Sequence, residues 1–194
     1  MARAFSFSNH KNLSGLHAPF SPSQPHWLRY DDDKVAEVYS NRKAAEMGSR
    51  LHAWAKDTIE LGIKQPRSEK TIYAYVNDAI GFRMSPEVVL FYSERFFGTA
   101  DAISFRQVKN GKWFLRIHDL KTGKTAVKME QLMVYAALFC LEYRVKPGEI
   151  DMELRIYQND AIEVANPTAE DILPIMDKIV HLDKYLARID SEEG

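Results

Sequence analysis

Between Phe97 and Tyr135 the chain runs extended into an Asn110-Gly111 pair, runs extended again, and then shifts to a three-and-four-residue period. Asn-Gly is a strong signal for a two-residue hairpin turn, because both central positions need the left-handed backbone. The segments Ala100 to Val108 and Trp113 to Lys121 are therefore expected to pair antiparallel. The helix expected from Lys128 to Tyr143 buries Met129, Leu132, Met133, Ala136, Phe139 and Cys140. This hairpin and helix carry an unusual set of polar residues. Asp119 and Lys121 are two apart on a strand and share a face. Asp101 lies on the partner strand or at its entrance and can reach that face, and Gln131 and Tyr135 stand one helical turn apart.

The rest of the chain is arranged around this stretch. Residues 1–30 hold Pro19, Pro22 and Pro25 and read as an irregular arm. Its Phe5, Phe7, Phe20, Trp27 and Tyr30 are too apolar for free disorder, so residues 1–40 are expected to form an arm and helix start packing on a domain of residues 41–194. Asp31, Asp32 and Asp33 place negative charge where a helix begins near Lys34. The period from Asn41 to Leu61 is helical. Gly48 inside it costs about 1 kcal/mol relative to Ala, which predicts close approach by another backbone. Gly62 suits a left-handed cap. A second helix is expected from Lys70 to Phe82, then a strand from Glu87 to Phe97 broken by Gly98. After the hairpin and its helix come a strand from Met152 to Tyr157, a short extended piece from Ile162 to Ala165, and a last helix opened by Thr168 and Asp171. The order describes a single α/β or α+β domain.

The net charge of -1 conceals an asymmetry. Seven Lys or Arg residues lie between Ala102 and Lys128 with Asp119 as the one acid, whereas residues 149–194 hold twelve acids and four Lys or Arg. A basic hairpin permits a polyanion partner, and it is equally a solvated surface; charge alone does not choose. One cysteine, Cys140, excludes an intramolecular disulfide and a four-cysteine zinc or iron–sulfur site within the chain. No stretch approaches the ~18 apolar residues of a membrane span, and the first residues lack a secretory apolar run. The expected compartment is the reducing cytoplasm.

Two carboxylates and an ammonium converging at a sheet are costly in a core unless a hard divalent cation neutralises the acids. Magnesium or manganese held by Asp101 and Asp119 would polarise a phosphoryl oxygen, with Lys121 stabilising the charge that develops there. Asp-x-Lys alone is equally the pattern of a surface ion pair; the order of its neighbours is what adds meaning.

His52 in GSRLHAWA, Asp101 in FGTAD, Asp119-Leu120-Lys121-Thr122-Gly123, and Gln131 with Tyr135 in QLMVYA together resemble the RecB-type branch of the PD-(D/E)XK nucleases. That branch includes CRISPR-associated and phage recombination exonucleases. The resemblance covers about Gly48 to Tyr135. It implies a restriction-endonuclease-like core, a central mixed sheet flanked by helices. It also implies His52, Asp101, Asp119 and the Leu120 carbonyl as metal ligands and Lys121 as the catalytic lysine. Gln131 and Tyr135 would position the DNA backbone or the attacking water. Lys124, Lys128 and Arg106 are the expected DNA contacts, Trp113, Phe114 and Trp54 are expected in the core with stacking on a frayed base as the alternative, and His118 is expected to be structural. Glu60 and Glu94 are taken as surface acids. The family's usual acid–x–Lys is Asp here, shorter in reach than Glu, and relatives with an iron–sulfur cluster use four cysteines that this chain lacks.

The expected activity is thus a Mg2+- or Mn2+-dependent deoxyribonuclease, most simply an exonuclease of phage DNA recombination or repair. DNA is the partner, with a single-strand annealing protein or a helicase as a possible second one, because no GxxxxGK[ST] motif is present. A structure-specific or nicking endonuclease and a non-catalytic nucleic-acid-binding protein are the alternatives.

Overall fold

The computed structural model describes residues 11–13, 15, 16, 18–108, 111–123 and 128–193. Phe5, Phe7, Lys124 and Asn110 lie outside the described residues. Contacts divide the chain into two units, Met1–Met47 and Gly48–Gly194, with the division inside the first helix.

In the first unit, Pro25–Arg29 forms a short 3-10 turn after the proline-containing stretch. Trp27 packs edge-on against Phe20 and donates its indole N–H to the Ser21 carbonyl. The first helix, α1, spans Asp32–Glu60, so it starts earlier than the apolar period at Asn41 indicates. The cause is local: the Asp31 carboxylate accepts the Lys34 amide at 2.8 Å and the Asp31 carbonyl accepts that of Val35. The acidic run supplies a cap and a favourable charge at the helix start.

In the second unit α1 ends on Gly62, whose φ of +66° lets it bond the Ile59 carbonyl while Ile63 bonds that of Thr58. Helix α2 (Thr71–Gly81) leads into β1 (Ser85–Ser93), β2 (Phe96–Gln107) and β3 (Trp113–Leu120), a meander of antiparallel neighbours. Helix α3 (Glu130–Tyr143) carries the chain to β4 (Ile150–Gln158), which lies parallel to β3. Strand β5 (Ala161–Ala165) adds antiparallel at the far edge, and α4 (Ala169–Glu193) closes the unit. The fold is α+β, a five-stranded mixed sheet in the order β1-β2-β3-β4-β5 flanked by helices. At the start of α4 the Asp171 carboxylate accepts both the amide and the hydroxyl of Thr168, as the sequence anticipates.

One strand boundary differs from expectation. The chain does not run from Glu87 to Phe97 and break at Gly98; it turns at Glu94 and Arg95, and Gly98 lies within β2. The turn is fixed from outside the hairpin. Ser93 Oγ donates to Asp183 at 2.7 Å, and the Arg95 guanidinium pairs with Asp183 and Asp190 of α4. No local pattern announces partners ninety residues away.

The core has two parts. Leu90, Leu115, Ile117, Leu132, Leu154 and Ile172 pack together from the sheet, α3 and α4. Ala55, Tyr75, Val76, Ala79, Leu120 and Tyr157 form the second cluster, from α1, α2 and the sheet. His118 is fully buried near the second cluster, against the edge of Phe82. Tyr157 donates its hydroxyl to Asp78, so the Nδ1 of His118, 3.2 Å from that oxygen, is the donor of their bond. Burial, reinforced by Arg155 and Arg116, lowers the His118 pKa to about 3. A neutral, structural His118 follows, as expected. Among the described residues no helix is long and apolar enough to cross a membrane.

The left-handed Gly62 gives a direct test. Gly62→Ala places a side chain at φ +66° and is expected to lower unfolding free energy by about 1 kcal/mol, read from the midpoint of urea denaturation.

Candidate metal centre

The register of β2 on β3 pairs Ala102 with His118 and Ile103 with Ile117, which brings Asp101 alongside Asp119. Asp101 reaches across the ladder: its Oδ2 accepts the Leu120 amide at 2.8 Å. The Leu120 side chain is buried in the second core cluster, and the next amide, Lys121 N–H, bonds the Tyr157 carbonyl at 2.9 Å. The end of β3 is thereby held from both neighbouring strands.

From α1, His52 brings Nδ1 to 3.5 Å from Asp101 Oδ2. Gly48, one turn earlier, is what lets this helix approach. A Cβ there would sit 2.6 Å from the Thr122 hydroxyl, just past Lys121. The close neighbour expected of Gly48 is therefore a side chain rather than a backbone.

A residue that sequence reasoning missed completes the cluster. Glu87 stands on β1 between the pairs Pro86–Ala102 and Val88–Ala100, across from Asp101, with a left-handed φ of +52°. His52, Glu87 and Asp101 each offer a ligand atom, all within 4.8 Å of one another. Placing the hairpin turn at Glu94-Arg95 would have revealed it, because that register puts Glu87 opposite Asp101. Glu60 and Glu94 are exposed and stand outside this group.

Asp119 is only 2% exposed. Its Oδ2 lies 3.0 Å from Lys121 Nζ, yet the approach lacks hydrogen-bond geometry and the oxygen has no hydrogen-bond partner. We read the contact as an ion pair that leaves a lone pair unused. Lys121 Nζ donates to Gln131 Oε1 at 3.1 Å, and Gln131 Nε2 donates to the Tyr135 hydroxyl at 3.4 Å. Tyr135 in turn packs on β2 at Gly98, where a Cβ would lie 2.9 Å from its ring. Gly98 thus makes room inside the strand for the tyrosine that backs Gln131.

The electrostatics of the two aspartates would favour a nearby cation. Burial, then the charge of Asp119, pushes the Asp101 pKa up to about 6, against the pull of His52, the Leu120 amide and Lys121. Burial also raises Asp119, opposed by Lys121. Tyr75, fully buried, is pushed up by burial and by Asp101, Glu87 and Asp119. Carboxylates held together against their own repulsion are a donor set for a hard divalent cation. The residues that could hold it are His52, Glu87, Asp101 and Asp119.

The expected DNA contacts are scattered. Lys128 is exposed just before α3, and Lys124 lies outside the described residues. Arg106 sits toward the other end of β2 and donates to the Arg83 carbonyl. Lys112 and Arg116 pair with Asp151 and Glu153 of β4, so part of the basic segment is already neutralised. Trp113 stacks on Phe105, Phe114 lies under the Arg116 guanidinium, and Trp54 packs against Tyr73.

The chain was compared with protein-family models, curated proteins and solved structures, and nothing matches it.

The raised Asp101 pKa has a signed consequence. The charged carboxylate is the destabilising form, so its protonation stabilises the fold below the ordinary carboxylate value of about 4, and this contribution is lost as pH rises through about 6. Without divalent metal, Asp101→Asn is expected to gain on wild type as pH rises from about 4 to 7, by roughly 1–3 kcal/mol. Urea denaturation in EDTA across this range measures it. A difference between the two proteins that does not change with pH would contradict the assignment.

Proposed function

We propose that this chain is a divalent-metal-dependent deoxyribonuclease, acting as an exonuclease. The observation that carries the reading is the convergence of His52, Glu87 and Asp101 within 4.8 Å, beside a buried Asp119 whose Oδ2 has the Lys121 ammonium 3.0 Å away. The resemblance to RecB-type nucleases rests on most of the same residues, and the αβ order with a central mixed sheet is the fold that it implies.

When bound, Mg2+ or Mn2+ would offset the carboxylate charges and polarise the scissile phosphodiester. The protein's own residues do the rest. His52, Glu87 and Asp101 would hold the cation, with Asp119 beside them, and the Leu120 amide fixes Asp101 in place. Lys121, tied to Asp119 on one side and Gln131 on the other, presents its ammonium where negative charge grows on the phosphate. Gln131 and Tyr135 brace that lysine. Hydrolysis forms one bond from water oxygen to phosphorus and breaks one phosphorus–oxygen ester bond. The water's protons pass to the departing alcohol and to solvent.

DNA binding through phosphate contacts is expected to weaken as salt rises. DNA of phage recombination or repair is the substrate context that the resemblance implies, with an annealing protein or helicase as partner.

Linear, covalently closed circular and end-blocked duplex DNA, incubated with Mg2+ or Mn2+, test the proposal. Wild type is expected to degrade only substrates with a free end, and Lys121→Ala to lose at least about 100-fold in rate. Cleavage of closed circles would instead indicate an endonuclease. No metal-dependent cleavage of any substrate would sink the enzymatic reading.

A further inference from the structure

We propose that the outward face of the β1–β2 hairpin is a base-stacking platform, with Phe91 and Phe97 as its aromatic surface, that guides an unpaired DNA strand into the metal centre. The inference rests on the nuclease reading for the identity of the ligand, and it adds the substrate class: single-stranded DNA or a frayed end.

The argument begins with strand alternation. Along β1, Val88, Leu90 and Tyr92 turn inward to the core; along β2, Phe96 and Ala100 do the same, and Gly98 meets Tyr135. The alternate residues face the other way. The register pairs Phe91 with Phe97 and Val89 with Thr99. Glu87 and Asp101 follow along the two strands, where the left-handed φ of Glu87 interrupts the alternation and both acids gather within 4.8 Å of His52 on α1. A stripe of the two phenylalanines, Val89 and Thr99 therefore leads along the strands to two metal-ligand candidates. Four residues of strand separate Asp101 from Phe97, about 13 Å at ~3.3 Å per residue. That is about four nucleotides at the ~3.4 Å rise of a stacked strand, and fewer if the strand is extended.

The stripe is open. Phe97 is 62% exposed, Val89 54% and Phe91 46%. The two rings lie 6.5 Å apart, tilted by 34°, which makes a splayed platform rather than a closed stack. Large apolar side chains exposed in a row beside a candidate active site are costly unless something covers them. Bases suit them for three reasons. The stripe ends on the groups that would hold the scissile phosphate's cation, so its ligand must be continuous with the substrate. Phe91, Phe97, Val89 and Thr99 are all uncharged, so they offer faces for rings and no phosphate clamp. The Phe91 amide on the outer edge of β1 is already taken by Glu142 at 2.8 Å, which removes a donor that strand addition by a protein partner would need. Bases inside a duplex hide their faces, so the platform selects unpaired nucleotides.

Fluorescence anisotropy of labelled dT15 with the full chain in EDTA reads binding without cleavage. Phe91→Ala/Phe97→Ala is expected to weaken binding by about tenfold or more, and Phe97→Tyr to keep it within about twofold. Affinity for a covalently closed circular duplex, which has no unpaired end or loop, is expected to stay within about twofold in all three proteins. Unchanged dT15 affinity in the double variant overturns the proposal. If that variant also dissociates a wild-type oligomer in sedimentation, the face joins copies of this chain instead. Should the double variant fail to fold by circular dichroism, wild type is probed with oligonucleotides carrying 2-aminopurine at successive positions near one end. Quenching at one or more positions is expected, and no quenching at any position overturns the platform. The two readings fail separately. Absent cleavage with dT15 binding still dependent on the phenylalanines removes the nuclease, whereas normal cleavage with unchanged binding removes the platform alone.

Discussion

The hydrogen bond from the Leu120 amide to Asp101 Oδ2 ties the register of the sheet to the chemistry of the site. It crosses from β2 to β3 where the ladder ends, so a slip of one residue in that pairing would turn Asp101 away from Asp119 and release it. The same bond supports the partly buried Asp101, which repels the buried Asp119. Folding therefore places two acids together with little return in stability, and the surrounding apolar packing must offset the cost. Leu115, Ile117 and Leu154, all fully buried, hold β3 between its neighbours a few residues before the site. The sheet is closely packed just before the carboxylates.

Much of this was legible in the residues, and the part that was not has an identifiable cause. The strand–turn–strand–helix order, the α2 and α3 periods, the Gly62 cap and the Thr168–Asp171 cap depend on interactions a few residues apart, which local sequence records. Asp101, Asp119 and Lys121 were readable because a strand fixes the face of every second residue. The turn at Glu94-Arg95 was not, since Asp183 and Asp190 determine it from the other end of the unit. That one misplacement hid two things together. With Gly98 taken as a break, β1 had no partner register, so Glu87 had no reason to face Asp101 and Phe91 no reason to face Phe97.

Gly98 shows how a residue that looks like an interruption can be a fitting. Its missing side chain leaves space for Tyr135, which backs Gln131, which holds Lys121 beside Asp119. Gly48 does the equivalent on the opposite approach, admitting the Thr122 hydroxyl so that α1 can bring His52 in one turn later. Both glycines give up favourable local propensity for a side-chain contact that is visible only in three dimensions. The lysine is thus positioned by α3 and the histidine by α1, two elements that meet the sheet independently.

The charge distribution follows the same logic of tertiary pairing. A run of lysines and arginines reads in sequence as one basic surface, but the parallel pairing of β3 with β4 sets Arg116 beside Glu153, and Lys112 reaches Asp151. The acidic C-terminal half is in part the counter-charge of the basic hairpin. Lys121 differs from these neighbours because its carboxylate partner is buried while its own side chain remains partly open, at 23% exposure. A lysine neutralised at the surface only solubilises the protein. Lys121 instead shares a buried acid at the end of a strand, beside the candidate ligands His52, Glu87 and Asp101.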